Sequence, residues 1–246
     1  MKKLLATAIL ASLAFGVQAK EGPLVSMTVQ GDRGNTQEFN ARGTTYVAGE
    51  PNERYSVVLR NNTRERVLVV LSVDGVNAIT GQTAGSSQQG YVLGPYERTE
   101  VSGWRKSMQG VARFYFTSLP DSYAARTGRP DNVGVIGVAV FKERRPQYNT
   151  RGITAPQSRE AASDSAGMRT QSMGTGHGEW EQEQAYQTTF VRQSTRPQQV
   201  MQIRYDSFRN LERMGILPRN WNTRNPNRGP QAFPGEFVPD PPRNRY

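Results

Sequence analysis

The chain has no cysteine and one histidine among its 246 residues. The first absence excludes disulfides, thiolate nucleophiles, Cys-ligated zinc and iron–sulfur clusters. It also excludes a lipoprotein anchor, which needs a cysteine after the signal. The second excludes an HExxH metalloprotease and any site built from two or three imidazoles of one chain. A histidine-based acid/base mechanism has only His177 to use. Lysine is scarce as well: beyond Lys2 and Lys3 only Lys20, Lys106 and Lys142 occur, so the positive charge is carried by arginine. No Walker, GxGxxG, nucleophile-elbow, SxxK or zincin pattern is present. No cofactor and no metal site are expected.

What is present begins with an address. Lys2 and Lys3 precede the 14-residue apolar stretch Leu4–Val17, and Val17-Gln18-Ala19 offers a small-residue cleavage site. This predicts a signal peptide over 1–19, because 14 residues fall short of the ~20 that span a bilayer. A periplasmic or extracellular protein with no membrane span after cleavage follows as the expectation. Without cysteine, such a protein is held by packing alone.

Residues 20–143 read as a β-sandwich. Leu24–Val29, Thr45–Ala48, Arg54–Leu59, Arg66–Val73, Val76–Thr80, Gly90–Leu93, Thr99–Ser102, Val111–Thr117 and Val133–Phe141 are short, rich in β-branched and aromatic residues, and separated by turn signals. Tyr55, Val57 and Leu59 alternate with Ser56 and Arg60, and Ala112, Phe114 and Phe116 with Arg113 and Tyr115, as in a half-buried antiparallel strand. Val67–Leu71 is apolar throughout, which predicts a strand covered on both faces. Asp74-Gly75 suits a two-residue type I′ hairpin.

Residues 144–172 have a linker's composition, with too few apolar side chains to offset ordering. Residues 173–217 predict two strands, Ala185–Gln193 and Gln199–Tyr205. A short helix follows, capped by Asp206 or Ser207 and ended by Gly215. So small a β/α piece cannot stand alone, and it is expected to dock on the sandwich, with one strand extending a sheet. Residues 218–246 hold seven of the 15 prolines and five arginines, and read as an extended, largely disordered tail. The predicted fold class is thus mainly β, an antiparallel sandwich carrying a small C-terminal strand-strand-helix piece and a tail.

Three segments combine chemistry-bearing residues. Gly103–Ser107 joins the Trp104 platform to Arg105 and Lys106, a combination that can stack a sugar or hold an anion; its bland alternative is a buried Trp beside exposed cations. Asp121–Pro130 contains Tyr123, Arg126 and Arg129, with Ala124 and Ala125 able to form one helical turn capped by Asp121 or Ser122. It can bind phosphate or carboxylate, or serve as a strand connection pinned by an Arg–Asp pair. Gly174–Glu179 presents His177 and Glu179 among three glycines, either an acid/base or ligand pair or a flexible turn.

The leading expectation is an exported, non-enzymatic binding or envelope-associated protein whose ligand is an envelope or extracellular component. One alternative is a hydrolase of cell-envelope polymers using His177 or loop carboxylates among Asp74, Glu97, Glu100 and Asp121. Another is a basic adhesive protein that meets an anionic polymer or a protein partner through the tail, where Trp221, Phe233 and Phe237 interleave with arginine. Charge distribution weighs against specific nucleic-acid binding. The chain is +10 overall. Yet residues 20–143 carry 14 basic against 12 acidic side chains, while residues 144–246 carry 15 against nine.

Overall fold

The computed structural model describes residues 21–32, 34–145 and 172–217. The signal segment 1–19, nearly all of the linker 144–172 and the tail 218–246 lie outside the described residues. Elements follow in the order β1 (Val25–Gly31), β2 (Gly34–Asn35), β3 (Glu38–Ala41), β4 (Thr44–Gly49), β5 (Arg54–Asn61), β6 (Val67–Val73), β7 (Val76–Asn77), β8 (Tyr91–Leu93), β9 (Arg98–Val101), β10 (Gly103–Arg105) and β11 (Gly110–Ser118). Then come α1 (Tyr123–Arg126), a 3-10 turn at Pro130–Asn132, β12 (Val135–Lys142), β13 (Met173–Gln182), β14 (Gln199–Ser207) and α2 (Phe208–Arg213). Among the described residues no helix is long and apolar enough to cross a membrane.

The protein is mainly β: two seven-stranded sheets enclose one core. The first runs β10-β11-β5-β1-β2, with β13 on the far edge of β11 and β9 beside β5; the second runs β3-β4-β14-β12-β6-β7, with β8 beside β6. The pairings are antiparallel except β14 with β4. Period-2 alternation does its expected work. Tyr55, Val57, Leu59, Phe114 and Phe116 are buried between the sheets, each contributing roughly 1.5–3 kcal/mol by leaving water. β6 is buried on both faces, as its unbroken apolar run predicts. Its outward Leu68 and Val70 pack with Phe141 under the half-buried Phe190.

Asp74 and Gly75 take φ of 54° and 73°, the left-handed pair a type I′ turn requires. α2 also follows its sequence signals. Ser207 Oγ accepts from Asn210 N at 3.2 Å, Gly215 has φ of 70°, and Leu211 and Leu217 pack on Ala48 of β4. In the Asp121–Pro130 connection, Ser122 caps α1 by accepting from Ala125 N at 3.2 Å. The pin differs from the expected Arg–Asp pair: Arg129 donates to Gly81 O at 3.1 Å, and Asp121 accepts from Ser118 Oγ at 2.6 Å.

The piece at 173–217 is built into the sandwich. β14 lies between β4 and β12 at the interior of the second sheet, and β13 pairs along the whole of β11 in the first. The strand expected at Ala185–Gln193 is instead an unpaired extended strap over β6, joined by one bridge between Glu143 and Arg192. Arg66 holds it by donating to Glu143 and to Thr189 O at 2.9 Å. The strand lies earlier, over Gly174–Glu179, which the glycines suggested was a turn. Their purpose is close approach. A Cβ on Gly176 would fall inside the Tyr115 ring, and one on Gly174 would strike Ser122 and Val133.

Candidate functional site

β10 and β13 flank β11 on opposite edges, and this places Trp104 near His177. Phe114 is opposite His177 in the ladder, so the imidazole shares the inward face of the sheet, at the end where the second sheet no longer covers it. α1 covers part of that end with Tyr123. Trp104 is buried and meets Phe114 edge-on at 4.8 Å. Its ring lies almost parallel to His177, 12° apart with centroids at 6.1 Å. Tyr123 touches both, at 4.9 Å from Trp104 and 5.2 Å from His177.

Cations rim the cluster. The Arg129 guanidinium sits 5.8 Å over the Tyr123 ring, braced by Thr127 Oγ1 at 2.9 Å. The exposed His177 has its pKa lowered, first by partial burial and then by the positive charges of Lys106 and Arg126. It is therefore a neutral imidazole at neutral pH. Trp104 Nε1 is buried and has no acceptor among the described residues.

Of the eight residues singled out in the sequence, six gather here: Trp104, Lys106, Tyr123, Arg126, Arg129 and His177. Two do not. Arg105 turns into an ion pair with Glu183, which also accepts from Ser102 Oγ. Glu179 points to the opposite face of the sheet, where Arg54 Nη2 meets it at 3.1 Å. The expectation that His177 and Glu179 act as a pair is thereby corrected: a bulge in β13, where Gly178 and Glu179 together oppose Arg113, shifts the alternation and turns the two side chains to opposite faces. Glu181 likewise pairs with Arg113 at 3.1 Å. Among the described residues no three His, Asp or Glu side chains gather as a metal would require.

A second polar cluster, unforeseen from the sequence, ties the two sheets together. Asp74 is buried at the start of the β6–β7 turn, where it accepts from Gly134 N at 2.8 Å, Thr175 N at 2.7 Å and Tyr205 Oη at 2.6 Å. Tyr205 Oη lies 2.6 Å from Thr175 Oγ1, which lies 2.5 Å from Tyr55 Oη. Burial pushes the Asp74 carboxyl up to about 6, against the three donors and Val135, which pull it down. Burial and the Asp74 charge raise both tyrosines well above their ordinary value. The only sequence trace of this network was Asp74 at the turn; nothing local linked it to Tyr55, Thr175 or Tyr205. Sealed from solvent, it fastens the two sheets to each other.

The other carboxylates considered for hydrolysis lie apart. Glu97 accepts from Gly94 N at 2.6 Å and Thr99 Oγ1 at 3.0 Å, and Glu100 stands opposite Val58 on the outer face of the first sheet. No family model, curated protein or solved structure matches the chain, so its own geometry is the basis for any reading of its function.

Proposed function

We propose that this protein is an exported, non-enzymatic binding module, and that it holds an envelope or extracellular ligand at the open end of its sandwich. The single observation that carries this reading is the meeting of Trp104, Tyr123 and His177 inside a rim of Lys106, Arg126 and Arg129. Aromatic faces pack on a sugar or other flat surface, and arginine pairs with its carboxylate or phosphate. Export rests on the signal-like residues 1–19. The hydrolase alternative is less well supported: Glu179 is engaged by Arg54 away from His177, and Asp74 is enclosed in the core.

His177 is the only histidine, so one imidazole proton resonance reports the site. A screen of neutral and anionic oligosaccharides against the mature chain, followed by this resonance, tests the reading. The expected result is a saturable shift with an anionic glycan, weakened about tenfold or more by Tyr123→Ala or by Arg126→Ala, the loss of one good contact. Turnover of any glycan that His177→Ala abolishes would replace the binding reading with the enzymatic one. A resonance unmoved by every glycan would also count against it.

A further inference from the structure

The outer face of the first sheet, away from the aromatic cluster, carries a like-charge pair where a sheet tolerates it least. Ser26 on β1 lies opposite Arg60 on β5, and Arg60 lies opposite Arg98 on β9. Asn61 N donates to Glu97 O at 2.9 Å, so Asn61 and Glu97 form the hydrogen-bonded pair of that ladder. Arg60 and Arg98, one step along, are therefore a non-hydrogen-bonded pair. In that position Cα atoms approach to about 4.5 Å and side chains are closest. Like charges directly opposite destabilise a sheet.

The surroundings do not cancel the pair. Arg98 leans along the sheet to donate to Gln30 Oε1 at 3.2 Å, and among the described residues Arg60 has no ion pair or hydrogen bond. Glu100 occupies the same face opposite Val58 and lies beyond ion-pair distance of either arginine. The two arginines line a groove of about 380 Å³ that also includes Ser26, Thr28, Val58 and Asn62. Ser26 Oγ accepts from Asn62 Nδ2 at 2.7 Å, which leaves its own proton to donate. Glu21 is the one acid in the lining and lowers the formal charge there to +1.

We propose that this groove is an oxyanion site. A singly charged carboxylate or phosphodiester group bridges Arg60 and Arg98 and accepts a further hydrogen bond from Ser26. Such a group neutralises the repulsion, and the planar guanidinium fork matches its oxygens. The net charge of the lining favours a monoanion over a dianion. The proposal does not depend on the aromatic site: it concerns a different face and different residues.

The test is a titration of the mature chain at fixed ionic strength with sodium glucuronate, dimethyl phosphate and inorganic sulfate. Each is followed by the Ser26 and Arg60 amide resonances and by thermal melting. Saturable shifts with glucuronate or dimethyl phosphate are expected, and the stronger of the two identifies the source of the group. Arg60→Gln should weaken binding roughly tenfold, as the loss of one charge-assisted contact does. In chloride alone the same variant should melt at the same temperature or higher, because the repulsion is gone. Glu21→Gln should improve sulfate binding relative to glucuronate. Unmoved amides with both monoanions, or equal shifts in Arg60→Gln, would overturn the proposal. A melting temperature lowered by Arg60→Gln would mean the pair is structural. His177 should not move with the Ser26 signals, which separates this result from that at the aromatic cluster.

Discussion

Two clusters in this protein are built from similar parts and behave as opposites. Around Asp74, aromatic side chains surround a carboxylate whose donors come from both sheets, and every group has a partner. Around His177, aromatic side chains gather under cations, and neither Arg126 nor Lys106 forms an ion pair among the described residues. The difference shows where polar groups stabilise a fold and where they are left for something else. A buried carboxylate persists only when its hydrogen bonds are satisfied within the protein. A half-exposed cation can remain unpaired because water solvates it, and it stays available to a ligand.

The sharpest way to break this comparison is Asp74→Ala. It removes the carboxylate that accepts from the Gly134 and Thr175 N–H groups and one of the partners of the Tyr205 hydroxyl in the core, which should cost about 4 kcal/mol in chemical denaturation. His177→Ala should change stability by less than ~0.5 kcal/mol, as an exposed site does. A comparable loss in both variants would dissolve the distinction.

The next effect is on pH. Asp74 has a folded-state pKa of about 6 against an ordinary 3.8. Between those values the native state binds more protons than the unfolded chain. The contribution is fully present below about pH 4 and is lost as pH rises through about 6, an amount of order 3 kcal/mol. His177 acts in the opposite sense: its lowered pKa makes its contribution present above the ordinary value of 6.5 and lost as pH falls through the folded value. Melting temperatures should therefore fall between pH 4 and 7 in the parent chain, and the slope should flatten in Asp74→Asn. An unchanged slope in that variant would show that Asp74 does not titrate there.

The smallest effect compares two ion pairs, one made by Glu179 within β13 and one by Glu183 just after it. Arg105 and Glu183 are mostly buried, and Glu183→Gln should cost about 1–2 kcal/mol. Arg54 and Glu179 are exposed, and Glu179→Gln should cost less than ~0.5 kcal/mol and lose even that in high salt. Equal costs would mean that burial does not set the value of these contacts.

Much of the sandwich was legible locally. β1, β5, β6, β11 and β12 carry their alternation or unbroken apolar runs in the sequence, Asp74-Gly75 its turn, and Ser207 with Gly215 the limits of α2. The failures have one cause. Three glycines in β13 look like a flexible turn, but they are there to let Tyr115 and Ser122 pack against the backbone, a requirement set by neighbours more than 50 residues away. Ala185–Gln193 has strand-like composition, yet it runs as a strap, because its neighbours are the outward side chains Leu68 and Val70 of β6, on which Phe190 packs, and a single bridge at Glu143. At the aromatic site the residue types were readable but not their grouping: Glu179 stood two residues from His177 and faces away, while Trp104 lies 73 positions away and faces it.

The sequence by itself determined the β class, the strand faces, the caps and the exclusion of thiol and multi-histidine chemistry, because each depends on residue type or on spacings of a few positions. Only the tertiary structure decided that Trp104, Tyr123 and His177 meet, that Asp74 joins the sheets, and that Arg60 faces Arg98. Those contacts are fixed by which strands pair and in what register, and register is set by the packing of the whole core.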